Sequence, residues 1–81
     1  MEYYVYILKS LKTGKRYIGY TDNLQRRIEE HNVKKTVHTD KTDAPFELVW
    51  HCVFRDKYEA LKFEKYFKSG SGRAFASKHL T

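Results

Sequence analysis

Two charged side chains occupy helix positions where the hydrophobic pattern predicts apolar residues. Arg27 shares a 3,4-spaced stripe with Leu24 and Ile28, and Glu64 shares one with Ala60. Burial of a charge is costly unless a partner or ligand compensates it, so both positions are candidates for chemistry. Hydrolysis of a phosphodiester needs an activated water and positive charge beside the phosphoryl oxygens. A carboxylate that binds a metal ion and a guanidinium would together meet these needs.

Each candidate side chain has a task that it can perform in such a site. Glu64 offers a hard oxygen ligand to Mg²⁺, which takes only one or two protein carboxylates and keeps several waters. Arg27 presents a planar guanidinium that suits two phosphate oxygens at once. Tyr6 and Tyr17 can orient an attacking water, or deprotonate it if the metal and Arg27 lower the phenol pKa from about 10. His31, one helical turn beyond Arg27, is placed to assist.

The same residue types also have purely structural explanations. Arg27 and Glu64 would satisfy each other as a buried salt bridge between two helices, and composition alone makes this as plausible as catalysis. A single tyrosine in a strand is more often part of the core than of a site. Gly19 is compatible with a strand irregularity as well as with close approach of the backbone to phosphate. The residue types alone therefore predict a site but leave its reaction open.

Three strands and two main helices are predicted to position these residues. Apolar runs indicate the strands, and a reversal containing Ser, Thr and Gly predicts that the first two form a hairpin. Patterns that resemble capping boxes, Asp22 with Gln25 and Asp56 with Glu59, open the two helices. The element order predicts an α/β or α+β fold in which helices pack on the faces of a three-stranded sheet. The predicted strands are Tyr3–Leu8, Arg16–Tyr20 and Phe46–Phe54, and the predicted helices run from Asp22 to about Val33, from Asp56 to about Lys68 and from Arg73 to His79.

The third predicted strand shows an alternation that assigns its residues to two faces. A polar segment, Lys34–Pro45, precedes it and is interpreted as a mobile loop that contacts the substrate. Ser69–Gly72 is expected to stop the second helix rather than to cradle a phosphate. In the third strand, Phe46, Leu48, Trp50, Cys52 and Phe54 are expected on one face and Glu47, Val49, His51 and Val53 on the other.

Size and charge narrow the class of protein. With 81 residues the chain is expected to form a single domain, residues 1–81. Its net charge of +6 favours polyanions such as nucleic acid, although charge of this size also serves solubility alone. The single cysteine, Cys52, excludes an internal disulfide and fits a reducing cytosol. No basic leader or long apolar run is visible, so a cytoplasmic protein without a membrane segment is expected.

Short ordered motifs run along nearly the whole chain. They are YVY at 4–6, YIG at 17–19, Arg27, HN at 31–32 and A-x-x-x-E-x-x-x-K at 60–68. This set resembles the GIY-YIG nuclease superfamily, with Tyr in place of the leading Gly of the first signature. Within it, the chain looks most like small standalone bacterial proteins of the UPF0213 type, which are classed as predicted endonucleases and are related to the nuclease domain of a bacterial excinuclease.

The resemblance implies an endonuclease dependent on Mg²⁺ or Mn²⁺, with an antiparallel three-stranded sheet flanked by helices. It implies that Tyr6 acts as general base or orients the water, and that Tyr17 hydrogen-bonds near the phosphate. Arg27 would stabilise the transition state, with His31 as a helper. Glu64 would bind the metal. No residue matches the late Asn that supports the metal in some relatives, so weaker metal affinity is expected.

Nucleic acid, with DNA as the expected substrate, is the implied partner, in repair or recombination. Two alternatives remain: a catalytically idle nucleic-acid-binding module, and a nuclease subunit directed by a larger repair or recombination protein. A monomer or a weak dimer is expected, since nothing in the pattern specifies an interface. Residues expected to contact nucleic acid are Gly19, Lys34, Lys35, Lys41, Lys68 and Arg73.

Overall fold

Three strands and three helices make up the residues that the computed structural model describes, 1–32 and 45–80. The elements are β1 (Tyr3–Ser10), β2 (Arg16–Thr21), α1 (Leu24–Asn32), β3 (Phe46–Phe54), α2 (Lys57–Lys68) and α3 (Gly70–His79). The strands form one antiparallel sheet in the order β2-β1-β3. The predicted α+β fold with a three-stranded antiparallel sheet is thereby confirmed. Apart from Pro45, the predicted loop at 34–45 lies outside the described residues.

The start of α1 differs from its predicted form. The helix begins at Leu24, and Asn23 caps it: Asn23 Oδ1 accepts a hydrogen bond of 3.1 Å from the Arg26 backbone N–H. Thr21 Oγ1 accepts from the Asn23 N–H at 3.0 Å, which places the cap one residue later than Asp22. Asp22 instead pairs with the Arg26 guanidinium at 3.4 Å. The capping box predicted at Asp22 is therefore wrong.

The two later helices meet at Ser69. The predicted cap at Asp56 is confirmed, since its Oδ1 accepts from the Tyr58 N–H at 2.9 Å at the start of α2. Ser69 ends α2 by donating its N–H to the Tyr66 carbonyl at 3.0 Å, and its Oγ accepts from the Gly72 N–H at 3.2 Å. One residue thus stops one helix and caps the next, so α3 begins at Gly70 instead of the predicted Arg73.

A bulge in β3 overturns the predicted alternation of that strand. Ile7 pairs with Trp50, whereas the next residue of β1, Leu8, pairs with Leu48, which leaves Val49 as the extra residue. The bulge exchanges the two faces at this point. Phe46 and Leu48 therefore lie on the opposite face from Trp50, Cys52 and Phe54, not on one face as predicted.

The central strand β1 is covered on both faces, as its nearly unbroken apolar sequence predicts. Val5 and Ile7 pack against α2 and α3, while Tyr6 and Leu8 face α1, and none of the four side chains is more than 4% exposed. The first core contains Ala60, Phe67 and Ala76, and the second contains Phe46 with Leu24 and Ile28 of α1 at its margin. Among the described residues, no helix is both long and apolar enough to cross a bilayer.

The side-chain amide of Asn32 ties the end of α1 to the start of β3. Its Oδ1 accepts from the Phe46 N–H at 2.7 Å, and its Nδ2 donates to the Phe46 carbonyl at 3.5 Å. Asn32→Ala should lower the free energy of unfolding by about 1–2 kcal/mol, because it removes a partner from a buried backbone donor. Urea denaturation measures this. Gln25→Ala, exposed on the same helix, should change it by less than about 0.5 kcal/mol, and equal effects would contradict the tie.

Candidate active site

A cavity of about 580 Å³ lies at the edge of β2 that no described strand covers. Tyr17 and Gly19 line it from the α1 face of the sheet, and Ile18 and Tyr20 line it from the opposite face. The cavity therefore passes around the sheet edge and is open to residues from both layers of helices. All five residues predicted to be catalytic line it: Tyr6, Tyr17, Arg27, His31 and Glu64.

These five side chains come from four different elements. Tyr6 lies on β1, Tyr17 on β2, Arg27 and His31 on α1, and Glu64 on α2. Arg27 and His31 are one helical turn apart, so α1 presents both to the same side. The two charged side chains that interrupt the apolar helix stripes are partly buried: the Arg27 side chain is 28% exposed and the Glu64 side chain is 20% exposed. Sequence positions far apart are thus collected around one sheet edge.

The Tyr6 ring lies directly over Gly19, its cross-strand neighbour. A Cβ at position 19 would overlap the Tyr6 hydroxyl and would lie 2.5 Å from Cζ of the ring. Gly19 is needed because the absence of its side chain lets the phenol reach across β2 toward the cavity. The glycine is therefore explained by its contact with the Tyr6 ring. Neither a strand irregularity nor close approach of the backbone to phosphate, the two interpretations from the sequence, predicts this contact.

Gly19→Ala is expected to displace the Tyr6 phenol and to lower the free energy of unfolding by about 1–3 kcal/mol through overpacking. Urea denaturation gives this value. Gly70→Ala is the matched control, because no atom lies within 4 Å of a Cβ built there. The control should be neutral or slightly stabilising. Equal destabilisation by both substitutions would show that Tyr6 does not depend on the glycine.

A buried hydrogen bond joins Tyr6 to His31. Tyr6 Oη lies 3.2 Å from His31 Nε2, and His31 is only 3% exposed. The imidazole also packs edge-on against the Phe46 ring, with 5.9 Å between ring centroids. Since Asn32 binds the Phe46 backbone, the residue after His31 holds the aromatic wall against which His31 rests. His31 is therefore positioned to orient the Tyr6 hydroxyl.

Burial raises the pKa of the Tyr6 phenol to about 12. The positive charge of Arg27 acts in the opposite direction, while Glu64 and Glu30 raise the pKa further. The lowering by Arg27 that the sequence suggests is present, but desolvation outweighs it. At neutral pH Tyr6 is consequently a phenol, which can orient a water but does not carry the charge of a base.

Tyr6 should titrate near the pKa of about 12, and its ionisation should be absent from Tyr6→Phe. Because this value lies above the unfolded value of about 10, the Tyr6 contribution to stability is complete below about pH 10 and is lost as the pH rises through about 12. Tyrosinate absorbance against pH, wild type minus Tyr6→Phe, measures the midpoint. A difference curve centred at about 10 would contradict a desolvated phenol.

Arg27 and Glu64 do not form the salt bridge that was the structural alternative. The Arg27 guanidinium Nη1 lies 3.4 Å from Glu30 Oε1, whereas Glu64 Oε2 lies 3.2 Å from Lys68 Nζ. Arg27 Nε is buried and has no hydrogen-bond partner among the described residues. The Arg27 side chain as a whole is partly exposed and lines the cavity, and its ion-pair partner is Glu30 rather than Glu64.

Glu64 could serve as the one protein ligand of a hydrated metal ion whose shell is completed by a substrate phosphate. In residues 1–32 and 45–80, no group of three or more His, Cys, Asp or Glu side chains could enclose a metal. Mg²⁺ does not need such a cage, because one carboxylate suffices when waters and substrate phosphate complete its shell. A partly exposed carboxylate at the wall of a roomy cavity fits this requirement. Glu64 would hold the ion, with the remaining ligands coming from water and substrate.

The cavity carries a strong excess of positive charge. Glu64 is its single acidic side chain among the described residues, against five basic ones. Lys15 and Arg16 were missed from the sequence, although they directly precede Tyr17, and Lys15 Nζ lies 5.4 Å from the Tyr17 ring centroid. Of the predicted nucleic-acid contacts, Gly19, Lys68 and Arg73 line the cavity, whereas Lys34, Lys35 and Lys41 lie outside the described residues.

Comparison with known families decides what kind of domain carries this cavity. The family model described as the GIY-YIG catalytic domain matches residues 2–78. The chain belongs to the GIY-YIG family. This confirms the resemblance, and membership of the family points to a nuclease; the five residues predicted to be catalytic fall within the matched region.

Bacterial relatives of this GIY-YIG domain bear names that state no activity. A UPF0213 protein of Lactiplantibacillus plantarum is 40% identical over 82 residues, covering 99% of this chain and 79% of its own length. A UPF0213 protein of Staphylococcus haemolyticus is 40% identical over 70 residues, covering 86% and 84%. The solution NMR structure of a UPF0213 protein from Bacillus halodurans is 34% identical, with a TM-score of 0.58 and coverage of 99% and 87%. Its likeness confirms the fold.

Proposed function

We propose that this GIY-YIG domain is an endonuclease that hydrolyses nucleic-acid phosphodiesters with Mg²⁺ or Mn²⁺, and that DNA is its substrate. One observation carries the proposal: four elements bring Tyr6, Tyr17, Arg27, His31 and Glu64 to a single basic cavity. Together they supply what phosphodiester hydrolysis needs, which is a metal ligand, stabilisation of charge on the phosphate and transfer of the proton of the attacking water. The excess of positive charge suits a polyanionic substrate.

Arg27 and Tyr17 receive the phosphate in this scheme. The partly exposed guanidinium of Arg27 would face developing negative charge on the phosphoryl oxygens. Tyr17 lines the same wall and offers a hydroxyl to the phosphate. Glu64 would hold the divalent ion, which when bound polarises the phosphoryl group and lowers the pKa of the attacking water.

Tyr6 and His31 manage the proton of that water. Because the pKa of Tyr6 is raised, the phenol accepts a hydrogen bond from water while donating its own proton to His31 Nε2. As the water oxygen bonds to phosphorus, its proton moves to Tyr6 Oη and the phenol proton moves to Nε2. The ester bond opposite the water breaks, and the departing oxygen takes a proton from solvent. This relay requires the His31 tautomer in which Nε2 carries no proton and accepts the hydrogen bond from Tyr6.

The proposal is tested by incubating the purified protein with supercoiled plasmid, single-stranded DNA, branched DNA and RNA. Each reaction contains Mg²⁺, Mn²⁺ or EDTA. The Glu64→Ala and Arg27→Ala variants are assayed in parallel with the wild type. Cleavage of at least one DNA by the wild type, its loss with EDTA and its loss in both variants are the expected results. Equal cleavage by all three proteins would remove the catalytic assignment.

A catalytically idle nucleic-acid-binding module is the second candidate. The pairing of Glu64 with Lys68 and the excess of cationic side chains in the cavity favour it, since both features suit an anion better than a metal. Such a module would bind DNA equally well with EDTA and cut none of the substrates. In both cases binding should weaken with added salt, because lysine and arginine contacts to phosphate release counterions.

A nuclease directed by a larger repair or recombination protein is a variant of the first proposal. Three aromatic side chains exposed on α2 and α3 support it: Tyr58 at 79%, Tyr66 at 46% and Phe75 at 45%. Aromatic residues are enriched at protein interfaces. Cleavage that appears only after a partner is added would distinguish this variant from a self-sufficient enzyme.

A further inference from the structure

The carboxylate proposed to hold the metal already has a partner in Lys68. Lys68 Nζ lies 3.2 Å from Glu64 Oε2, one helical turn along α2, and both side chains line the cavity. The Lys68 side chain is 50% exposed, compared with 20% for Glu64. The ammonium group thus occupies a carboxylate oxygen that a metal would need, and it has room to move away.

The electrostatics of the cavity make metal binding unfavourable until an anion enters. Apart from Glu64, the charged side chains that line the described part of the cavity are all cationic: Lys15, Arg16, Arg27, Lys68 and Arg73. A divalent cation that entered alone would meet repulsion from these charges. A phosphate group would reverse the local balance and would also give the Lys68 ammonium an alternative oxygen partner.

We propose that Lys68 couples metal binding to nucleic-acid binding by exchanging Glu64 for a substrate phosphate. The inference rests on the proposed function for the identity of the two ligands. Without nucleic acid, Lys68 neutralises Glu64 and keeps metal affinity low. When phosphate enters, the ammonium moves to a phosphoryl oxygen and releases Glu64 to the metal.

Two physical arguments make this exchange feasible. A partly exposed ion pair between positions i and i+4 of a helix is weak, so its loss costs little. Lys68 also gains a charge-assisted hydrogen bond to phosphate in return. By thermodynamic reciprocity, the factor by which nucleic acid tightens metal binding equals the factor by which metal tightens nucleic-acid binding. The exchange therefore lowers metal affinity until a substrate strand is present.

The test measures Mn²⁺ affinity from the electron paramagnetic resonance signal of the free ion, with and without a single-stranded DNA oligonucleotide. Tyr6→Phe serves as the background because it keeps every charge in the cavity and should leave the oligonucleotide intact. Adding Lys68→Met removes one positive charge beside Glu64. Mn²⁺ binding without DNA should tighten about tenfold, since a charge close to a divalent ion is removed. The tightening caused by DNA should shrink by about fivefold.

Lys65→Met is the matched control, because Lys65 lies on the same helix, carries the same charge and does not line the cavity. Equal Mn²⁺ affinity and equal coupling in the Lys68 and Lys65 variants would overturn the exchange. Glu64→Gln in the same background separates this failure from that of the proposed function. If Glu64→Gln binds Mn²⁺ as tightly as its parent, the metal assignment itself fails.

Discussion

Glu64→Gln should lower the rate of Mn²⁺-dependent DNA cleavage by about a thousandfold, because metal stabilisation of the transition state is worth several kcal/mol. Glutamine keeps the size of the side chain but removes the charge that would hold the ion. The stability of the domain should change little, since Glu64 forms only a partly exposed pair with Lys68. Single-turnover cleavage measures the rate, and thermal unfolding checks the fold.

The matched control for this substitution is Glu59→Gln. Glu59 lies in the first turn of the same helix, is exposed and does not line the cavity. The DNA cleavage rate of Glu59→Gln should stay within about threefold of the wild-type rate, since only a charge outside the cavity is altered. Similar losses in the two variants would mean that Glu64 acts through the net charge of α2 rather than as a ligand.

Arg27→Ala should lower the cleavage rate by about 10²- to 10³-fold, in line with the loss of one donor to a developing oxyanion. Arg27→Lys should recover only part of this, because an ammonium lacks the planar fork that receives two oxygens. The neighbouring arginine provides the control. Arg26 is 54% exposed, pairs with Asp22 and does not line the cavity, so Arg26→Ala should cleave at nearly the wild-type rate.

The Arg27 comparison distinguishes catalysis from simple attraction of the substrate. Both substitutions remove one positive charge from adjacent positions of α1. If general electrostatic attraction were the whole effect, the two variants would lose similar affinity and similar rate. Equal rates for Arg26→Ala and Arg27→Ala would therefore contradict the assigned role of Arg27 in the transition state.

The conflict between helix pattern and residue type picked out side chains that the structure brings to one cavity. Arg27 and Glu64 were found because they interrupt apolar stripes, and His31 was found because it continues the stripe of α1. The structure places all three at the cavity wall, with His31 buried. Periodicity is a local property of the chain, so a single sequence is sufficient to read it.

Features that depend on the pairing of distant segments were not predictable in this way. The bulge at Val49 arises from how β3 pairs with β1, and no residue type in β3 predicts it. The cap of α1 falls on Asn23 because Thr21 organises the turn before it. The sequence pattern predicted the cap at Asp22, and only the turn geometry assigns it to Asn23.

The electrostatic character of the site also emerges only from the three-dimensional arrangement. Burial of Tyr6 beneath α1 raises its pKa, an effect that its sequence neighbours do not reveal. Lys15 and Arg16 were overlooked because a hairpin turn is an ordinary place for basic residues. The structure shows that both residues line the cavity at the open edge of β2, together with Arg73 of α3.

The most direct test of hydrolysis at this cavity is cleavage of a DNA oligonucleotide in water labelled with heavy oxygen. The wild type with Mn²⁺ should release a fragment whose new terminal phosphate carries one labelled oxygen, and EDTA or Glu64→Gln should suppress this product. Mass spectrometry of the fragments reads the label. Product without label, or labelled product in equal amount from Glu64→Gln, would contradict metal-dependent hydrolysis at Glu64.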